Sequence, residues 1–374
     1  MSRIVIVASA TPSLVLFRGE LIKSLVQDGH SVTALAPFET DEWTQKVEAL
    51  GVRFVPVAIK NAGLNPFREL ASLLAFVRTA RSLKPEIVLA YTIKPILFSG
   101  FSLLFNRSTR FVALITGLGL AFNTSTLKGK LIRLCAGTLY RIALCRADKA
   151  VFQNKDNLQV FLDNRLVAER KTAVVDGSGI DCDAYTNTPV PIEPVSFLLV
   201  ARLLHAKGVG EYIKAAQMVK QDYPDARFDL LGPTVDNPDG VSLEDLADMD
   251  PTGAVTYHGQ SYDTVPYYRR TSVYALPSYH EGIPRTVLEA MSVGRPILTT
   301  NATGCRETVK DGVNGFQVPV RDADALADKM RWFIEHSQQL QTMGNASRAL
   351  ALNRFDIKII NSKMRAFLSG DEAS

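Results

Sequence analysis

Two successive runs of alternating strand and helix patterns fill the sequence. Such alternation leaves a parallel, doubly wound sheet as the fold of each run. Ile4–Ala8 is a continuous apolar run, as a strand covered on both faces requires. Helical spacing follows over Phe17–Asp28, with Leu21 and Leu25 on one face and Gly29 as the stop. Further strands are predicted at Ser31–Ala36, Val52–Val57, Ile87–Tyr91, Phe111–Ile115, Lys149–Gln153 and Thr172–Val175. Helices are predicted at Thr44–Leu50 and Pro66–Leu83.

Thr186–Val195 holds three prolines and no periodic pattern, so it reads as a linker. The alternation then restarts. Strands are predicted at Phe197–Ala201, Arg227–Leu231, Val255–His258, Val273–Leu276 and Pro296–Thr300. Helices are predicted at Tyr212–Gln221, Pro284–Val293 and Ala325–His336, the last capped by Asp322. A chain of 374 residues exceeds one ordinary core. The expected division is a first domain over 1–187, a linker over 188–195 and a second domain over 196–355. A C-terminal helix over 356–374 is expected to pack back on the first domain. The fold class is α/β: two Rossmann-like doubly wound domains facing across a cleft. Ligands bind such sheets at the carboxyl ends of the strands.

Charge is unevenly spread. Residues 1–150 carry 19 Lys and Arg against 9 Asp and Glu, and the remainder carry 23 against 29. A basic first half points to an anionic partner there: nucleic acid, a membrane surface or a diphosphate-bearing lipid. No stretch reaches the ~20 apolar residues that span a bilayer. Met1–Val7 runs straight into a strand, so no cleaved leader is expected. The four cysteines, at 135, 145, 182 and 305, follow neither metal nor secreted-disulfide spacing, and a reducing cytoplasm fits them.

The segment from Ser278 to Gly294 carries the chemistry. A strand ends at Pro277, a short loop follows, and Pro284 opens a helix whose N-terminus favours an anion. Glu281 sits in the loop and Glu289 in the helix. Eight residues of continuous helix would turn them about 80° apart, so both meet one ligand only if Glu281 is in the loop. Two carboxylates beside an anion site suit sugar hydroxyls, while two solvated surface glutamates fit the spacing equally well. In Val200–Gly208, Arg202 and Lys207 occupy the loop after another strand. Two cations there neutralise a diphosphate leaving group, or are simply a solvated basic loop.

Taken together, the Glu281/Glu289 pair and the Arg202–Lys207–Gly208 element resemble the family 4 retaining glycosyltransferases of the GT-B type. Leu230-Leu231-Gly232 and Tyr257-His258-Gly259 match the family's strand ends. Asp311–Phe316 with Pro319 match a hairpin that follows, and Ser178–Asp181 matches the close of the first domain. The resemblance implies roles residue by residue. Arg202 and Lys207 hold the donor diphosphate, Glu281 contacts the transferred sugar and Glu289 binds the ribose hydroxyls. Backbone groups near Thr286, Val287 and Leu288, with Gly282 and Gly232 close by, face the donor. His258 and Gly259 lie beside the base. It further implies a UDP-sugar as donor substrate, with an N-acetylhexosamine as one option for the sugar, and no cofactor and no metal. Three Asp-x-Asp strings, at 181/183, 248/250 and 322/324, read as chance.

The first half is similar to a subgroup that builds bacterial surface polysaccharides on a polyprenyl-diphosphate carrier. The matching elements are Leu16-Phe17-Arg18, Tyr91–Pro95 and Ile115–Gly119. They put Arg18, Lys94, Thr116 and Gly117 on the acceptor side. The loop Ala8–Ser13 lacks the family's paired glycines. Thr116–Gly119 is only a partial dinucleotide fingerprint, with Phe122 in the third glycine's place. On a helix over Leu127–Cys145, Lys130, Arg133 and Arg141 form a basic stripe, with Leu131, Cys135, Thr138 and Ile142 about 100° away. That suits either a membrane-surface helix or an ordinary solvated basic face. Nucleic acid fits less well, because the stripe lacks interleaved aromatics. The expected enzyme is therefore a cytoplasmic transferase, peripheral on the inner face of the membrane. The alternatives are a sugar-nucleotide epimerase of the same architecture and a non-catalytic nucleotide-sugar-binding protein.

Overall fold

Strand β1 (Arg3–Val7) shows how the first sheet is built. Its alternate residues serve two cores: Ile4 and Ile6 face one, Val5 and Val7 the other. This is why its sequence is apolar without interruption. The structure, a computed structural model, describes residues 1–59, 66–117 and 127–371; of residues 66 and 127–133 it describes the backbone only.

The other strands of this sheet are β2 (Ser31–Ala36), β3 (Arg53–Pro56), β4 (Ile87–Tyr91), β5 (Arg110–Ile115), β6 (Lys149–Phe152) and β7 (Thr172–Val174). All pair in parallel, in the order β3-β2-β1-β4-β5-β6-β7. The helices are α1 (Thr11–Gln27), α2 (Asp41–Glu48), α3 (Pro66–Ser82), α4 (Ile93–Ser102), α5 (Leu127–Cys145) and α6 (Lys155–Asp163). Helix α1 starts six residues before the expected Phe17, with Pro12 in its first turn.

The second sheet has β8 (Ser196–Val200), β9 (Arg227–Leu231), β10 (Thr256–Tyr257), β11 (Val273–Leu276), β12 (Ile297–Thr300) and β13 (Gly315–Val318). Its order is β10-β9-β8-β11-β12-β13, again all parallel. The helices are α7 (Val209–Asp222), α8 (Leu243–Met249), α9 (Val265–Arg270), α10 (Arg285–Ser292), α11 (Ala323–Glu335) and α12 (Leu340–Leu350); a last helix, α13 (Ile357–Ser369), returns to the first unit. Asp322 caps α11 by accepting from the Ala325 N–H.

Three expectations need correction. Asp311–Phe316 is not a hairpin. Gly312 donates to the Gly315 carbonyl at 2.8 Å, and β13 then runs parallel to β12. The boundary lies at Ser178/Gly179 rather than at 187: one unit comprises 1–178 with 358–374, the other 179–357. Residues 188–195 are therefore not a free linker. Arg295 donates to the Thr188 carbonyl at 2.6 Å and to the Pro189 carbonyl at 3.1 Å, and Gln341 accepts from the Val190 N–H at 2.9 Å. Helix α13 contributes Ile360, Met364 and Leu368 to a core of the first unit.

Candidate active site

In the second sheet the strand order reverses between β8 and β11, the position where crevices form in doubly wound sheets. Arg202 lies two residues past β8, and Lys207 ends a short 3-10 turn, His205–Lys207. Gly208 follows with φ +74°, where a Cβ would sit 2.2 Å from the Pro277 carbonyl oxygen. Only glycine lets this loop press against the end of β11. Two bonds stitch the loops together: the Tyr279 N–H donates to the Ala206 carbonyl at 2.9 Å, and Ser278 Oγ donates to the same oxygen at 3.1 Å.

Across this seam Lys207 Nζ donates to Glu281 Oε1, with both side chains largely buried. The Glu281 backbone is held by its N–H bond to the Thr303 carbonyl, 2.9 Å. Glu281 is thus a loop residue, as the eight-residue spacing demanded. Arg202 is exposed and makes no hydrogen bond or ion pair with the described residues. One cation is held beside a carboxylate and the other is available to an anion.

Pro284 caps α10 with extended backbone, and no acidic residue occupies the first turn. This N-terminus is accordingly open to a negative group. The expected phosphate-facing stretch is narrower than 286–288. The Val287 and Leu288 N–H groups donate to the Pro284 carbonyl at 3.1 and 3.3 Å, and both side chains are core. Of the three, the Thr286 N–H remains for a ligand, while its hydroxyl accepts from Tyr274 at 2.6 Å. Gly282 sits in the loop that opens this helix.

Glu289, on the same helix, is 7% exposed. A buried carboxylate needs partners. Tyr268 of α9 donates to Oε2 at 2.9 Å, and Arg285 donates to Oε1 at 3.0 Å. Tyr185 lies close enough to feel the same charge. Sequence reading missed both tyrosines. Neither belongs to a motif, and Tyr185 falls in a stretch with no periodic pattern.

At the neighbouring strand ends the Gly232 N–H donates to the Gly259 carbonyl at 2.8 Å, and Tyr257 donates to the Gly232 carbonyl at 2.8 Å. At Gly232 a Cβ would lie 1.7 Å from the Ala201 carbonyl oxygen, so a side chain there would force β9 away from β8. The His258 ring is engaged: its Nε2 bonds to Asp229 Oδ1 and lies 3.2 Å from Arg270 Nη2.

The residues expected on the acceptor side lie near the carboxyl ends of β1, β4 and β5 in the first unit. Arg18 is buried, its guanidinium 5.3 Å from the centre of the Tyr91 ring. Lys94 pairs with Glu69 at 2.8 Å. Thr116 and Gly117 follow β5 directly; Leu118, Gly119 and Phe122 lie outside the described residues. Between β4 and α4, Thr92 adopts φ +69°, a strained value for a β-branched residue, and donates to Ser9 Oγ at 2.8 Å. The glycine-free loop 8–13 leads into α1, where the Thr11 N–H donates to Glu39 at 2.9 Å. The chain's own carboxylate thus takes one of the N–H groups at this helix start.

Of the two stripes expected on α5 the structure describes only part. Lys130, Arg133 and Leu131 lie outside the described side chains, and Arg141 is turned onto the carbonyls of Arg165 and Asn164, 3.1 Å each. Cys135, Thr138 and Ile142 face outward, while Tyr140, Ala143 and Leu144 face the core. Each Asp-x-Asp string has local work: Asp181 accepts from the Asp183 N–H, Asp250 from the Val255 N–H, and Asp322 caps α11. Among the described residues no cluster of metal-ligating side chains occurs.

Comparison with known proteins matches this geometry to one family. The model described as glycosyl transferases group 1 matches residues 188–350, and the one described as glycosyl transferase 4-like matches residues 3–154. The chain belongs to the family 4 glycosyltransferases of the GT-B type. This glycosyltransferase is 28% identical over 361 residues to an N,N'-diacetylbacillosaminyl-diphospho-undecaprenol alpha-1,3-N-acetylgalactosaminyltransferase of Campylobacter jejuni, covering 92% of this chain and 93% of the relative. It is 26% identical over 161 residues to the capsular polysaccharide biosynthesis glycosyltransferase CapM of Staphylococcus aureus, covering 43% and 42%. In fold it superposes on sucrose-phosphate synthase of Thermosynechococcus elongatus with a TM-score of 0.81, at 17% identity over 99% of both chains. Anabaena HepE, solved with UDP-glucose, gives 0.79 at 20% identity over 99% of this chain and 100% of that one. Neither the epimerase nor the non-catalytic reading is favoured by these relatives.

Proposed function

We propose that this glycosyltransferase moves an N-acetylhexosamine from a UDP-sugar to a polyprenyl-diphosphate-linked saccharide, with retention at the anomeric carbon and without a metal. The reading is carried by the Lys207–Glu281 pair and by Arg202, which has no partner among the described residues, at the β8/β11 switch point. When a donor binds, Arg202 and Lys207 neutralise the charge that develops on the departing diphosphate. Glu281 is then released to a sugar hydroxyl. The α10 N-terminus takes a phosphate oxygen and Glu289 the ribose. The acceptor class is supported by the name of the Campylobacter relative, which matches across nearly the whole chain.

The enzyme works at the inner face of the cytoplasmic membrane. No helix among the described residues is long and apolar enough to cross it. A peripheral contact is supported by one stripe on α3, where Phe67, Leu70 and Leu74 are exposed at helical spacing and Arg78 and Arg81 continue the same line. A thermal-shift series with UDP-, GDP- and ADP-linked sugars, followed by transfer to polyprenyl-diphosphate saccharides, tests the proposal. Stabilisation by UDP-N-acetylhexosamines and an α-linked product in chelator are expected. Inversion at the anomeric carbon, or loss of transfer in chelator that a divalent metal restores, overturns the mechanism.

A further inference from the structure

Beneath α3 the first unit holds a cavity of 510 Å3, a size that suits a small molecule. Its mouth lies where β1, β4 and β5 begin, at Arg3, Glu86 and Thr109. Lys94 and Thr116 stand at the other ends of these strands. The inner wall is apolar: Val5, Val7 and Val88 from the sheet, Phe76 and Ala80 from α3. The mouth carries three cations, Arg3, Arg81 and Lys84, and one carboxylate, Glu86. That carboxylate is engaged. Glu86 accepts from the Arg3 N–H at 2.8 Å and pairs with the Arg3 guanidinium at 3.6 Å. Arg81 and Lys84 are exposed and pair with no acid among the described residues.

Ser99 of α4 also lines the cavity. It is 1% exposed, and its hydroxyl has no hydrogen-bond partner among the described residues. Helical serines commonly bond a carbonyl three or four residues back. Ser102, one turn on, does so with the Ser99 carbonyl at 2.8 Å. A buried hydroxyl is costly without a partner, so Ser99 calls for one from outside the chain. We propose that this cavity, which none of the residues assigned to sugar transfer lines, binds a small amphipathic anion. Its phosphate or carboxylate head meets Arg81 and Lys84, its apolar body meets Phe76 and the valines, and it offers Ser99 an acceptor. Two sources share this chemistry, a soluble compound and a membrane lipid. Arg81 belongs both to the mouth and to the exposed line of Phe67, Leu70 and Leu74 on α3. Only the lipid source rests on the membrane contact of α3.

Calorimetry with octyl phosphate, inorganic phosphate and octanol tests the site. Octyl phosphate is expected to bind roughly tenfold or more tightly than either half alone, since head and body both contribute. Ser99→Leu fills the space and removes the hydroxyl. It is expected to raise the thermal midpoint and to weaken octyl phosphate roughly tenfold or more, with UDP affinity as in wild type. Lys84→Gln is expected to weaken octyl phosphate at low salt and less at high salt. Ala80→Leu fills the cavity from α3 should Ser99→Leu fail to fold. Equal binding of the three probes, or wild-type binding of octyl phosphate in the filled variants, overturns the inference. Flotation with phosphatidylglycerol vesicles assigns the source. If it falls in Ser99→Leu the occupant is a lipid; if it holds while octyl phosphate binding is lost, the occupant is a soluble compound.

Discussion

Lys207 and Glu281 form a part-buried ion pair that bridges the loop after β8 and the loop after β11. Each is the other's charge partner, so removing one leaves the other poorly compensated in a site with little solvent. Lys207→Ala and Glu281→Ala are each expected to stay folded and to lower kcat/KM about 10²- to 10³-fold, the range for deleting one preorganised electrostatic group. The double variant should lose far less than the product of the two, because the residues act as a unit. Steady-state transfer kinetics decide this. Full activity in both single variants would falsify the site.

Arg295 is wholly buried and has no carboxylate partner among the described residues. Its guanidinium instead satisfies the carbonyls of Thr188, Pro189, Thr271 and Val293. Replacing it with Met strips the Thr188, Pro189 and Thr271 carbonyls of this donor, while the Val293 carbonyl keeps the Thr188 N–H at 3.2 Å. Arg295→Met is expected to cost about 2–4 kcal/mol, read by urea denaturation. A loss within experimental error would mean that segment 188–195 is held by other contacts.

These contacts also mark the limit of what the sequence discloses. The strand–helix alternation, Arg202, Lys207, Glu281 and Glu289 are local patterns, and local patterns survive in a one-dimensional reading. Residues 188–195 look like a linker because prolines break periodicity. What binds them is Arg295 and Gln341, about a hundred or more positions away, and no local rule couples them. Tyr268 was hidden for the same reason, since its partner Glu289 lies on another element. On α5 the spacing separated a basic stripe from an apolar one, but it did not say which faced the sheet. Packing against α4 and α6 settled that around Tyr140 and Leu144.

The four cysteines should react unequally. Burial, with the Glu281 charge adding to it, pushes the Cys305 thiol up to about 12. The thiolate is the nucleophile, so Cys305 stays protonated and inert at ordinary pH. Cys182 is buried and also raised, whereas Cys135 and Cys145 are exposed. Iodoacetamide at pH 8 followed by peptide mass spectrometry is expected to label 135 and 145 and spare 182 and 305 until denaturant is added. Rapid labelling of Cys305 in the folded enzyme would mean that the loop beneath Glu281 opens.

The α3 stripe gives the membrane contact a sharper test than α5. Phe67, Leu70 and Leu74 lie on one line of the helix, and Phe67 is 83% exposed. Burying one such side chain in an interface is worth about 1.5–3 kcal/mol at full burial, so three half-inserted chains supply several kcal/mol together. Arg78 and Arg81 add roughly 1 kcal/mol each near an anionic surface, a part that salt screens. Changing the three apolar residues to Ser is expected to lower flotation with phosphatidylglycerol vesicles at least tenfold at any ionic strength. Changing both arginines to Gln should weaken binding mainly at low salt. Donor binding should stay as in wild type for both variants, because α3 belongs to the first unit. Undiminished flotation of the serine variant would remove α3 from the membrane contact.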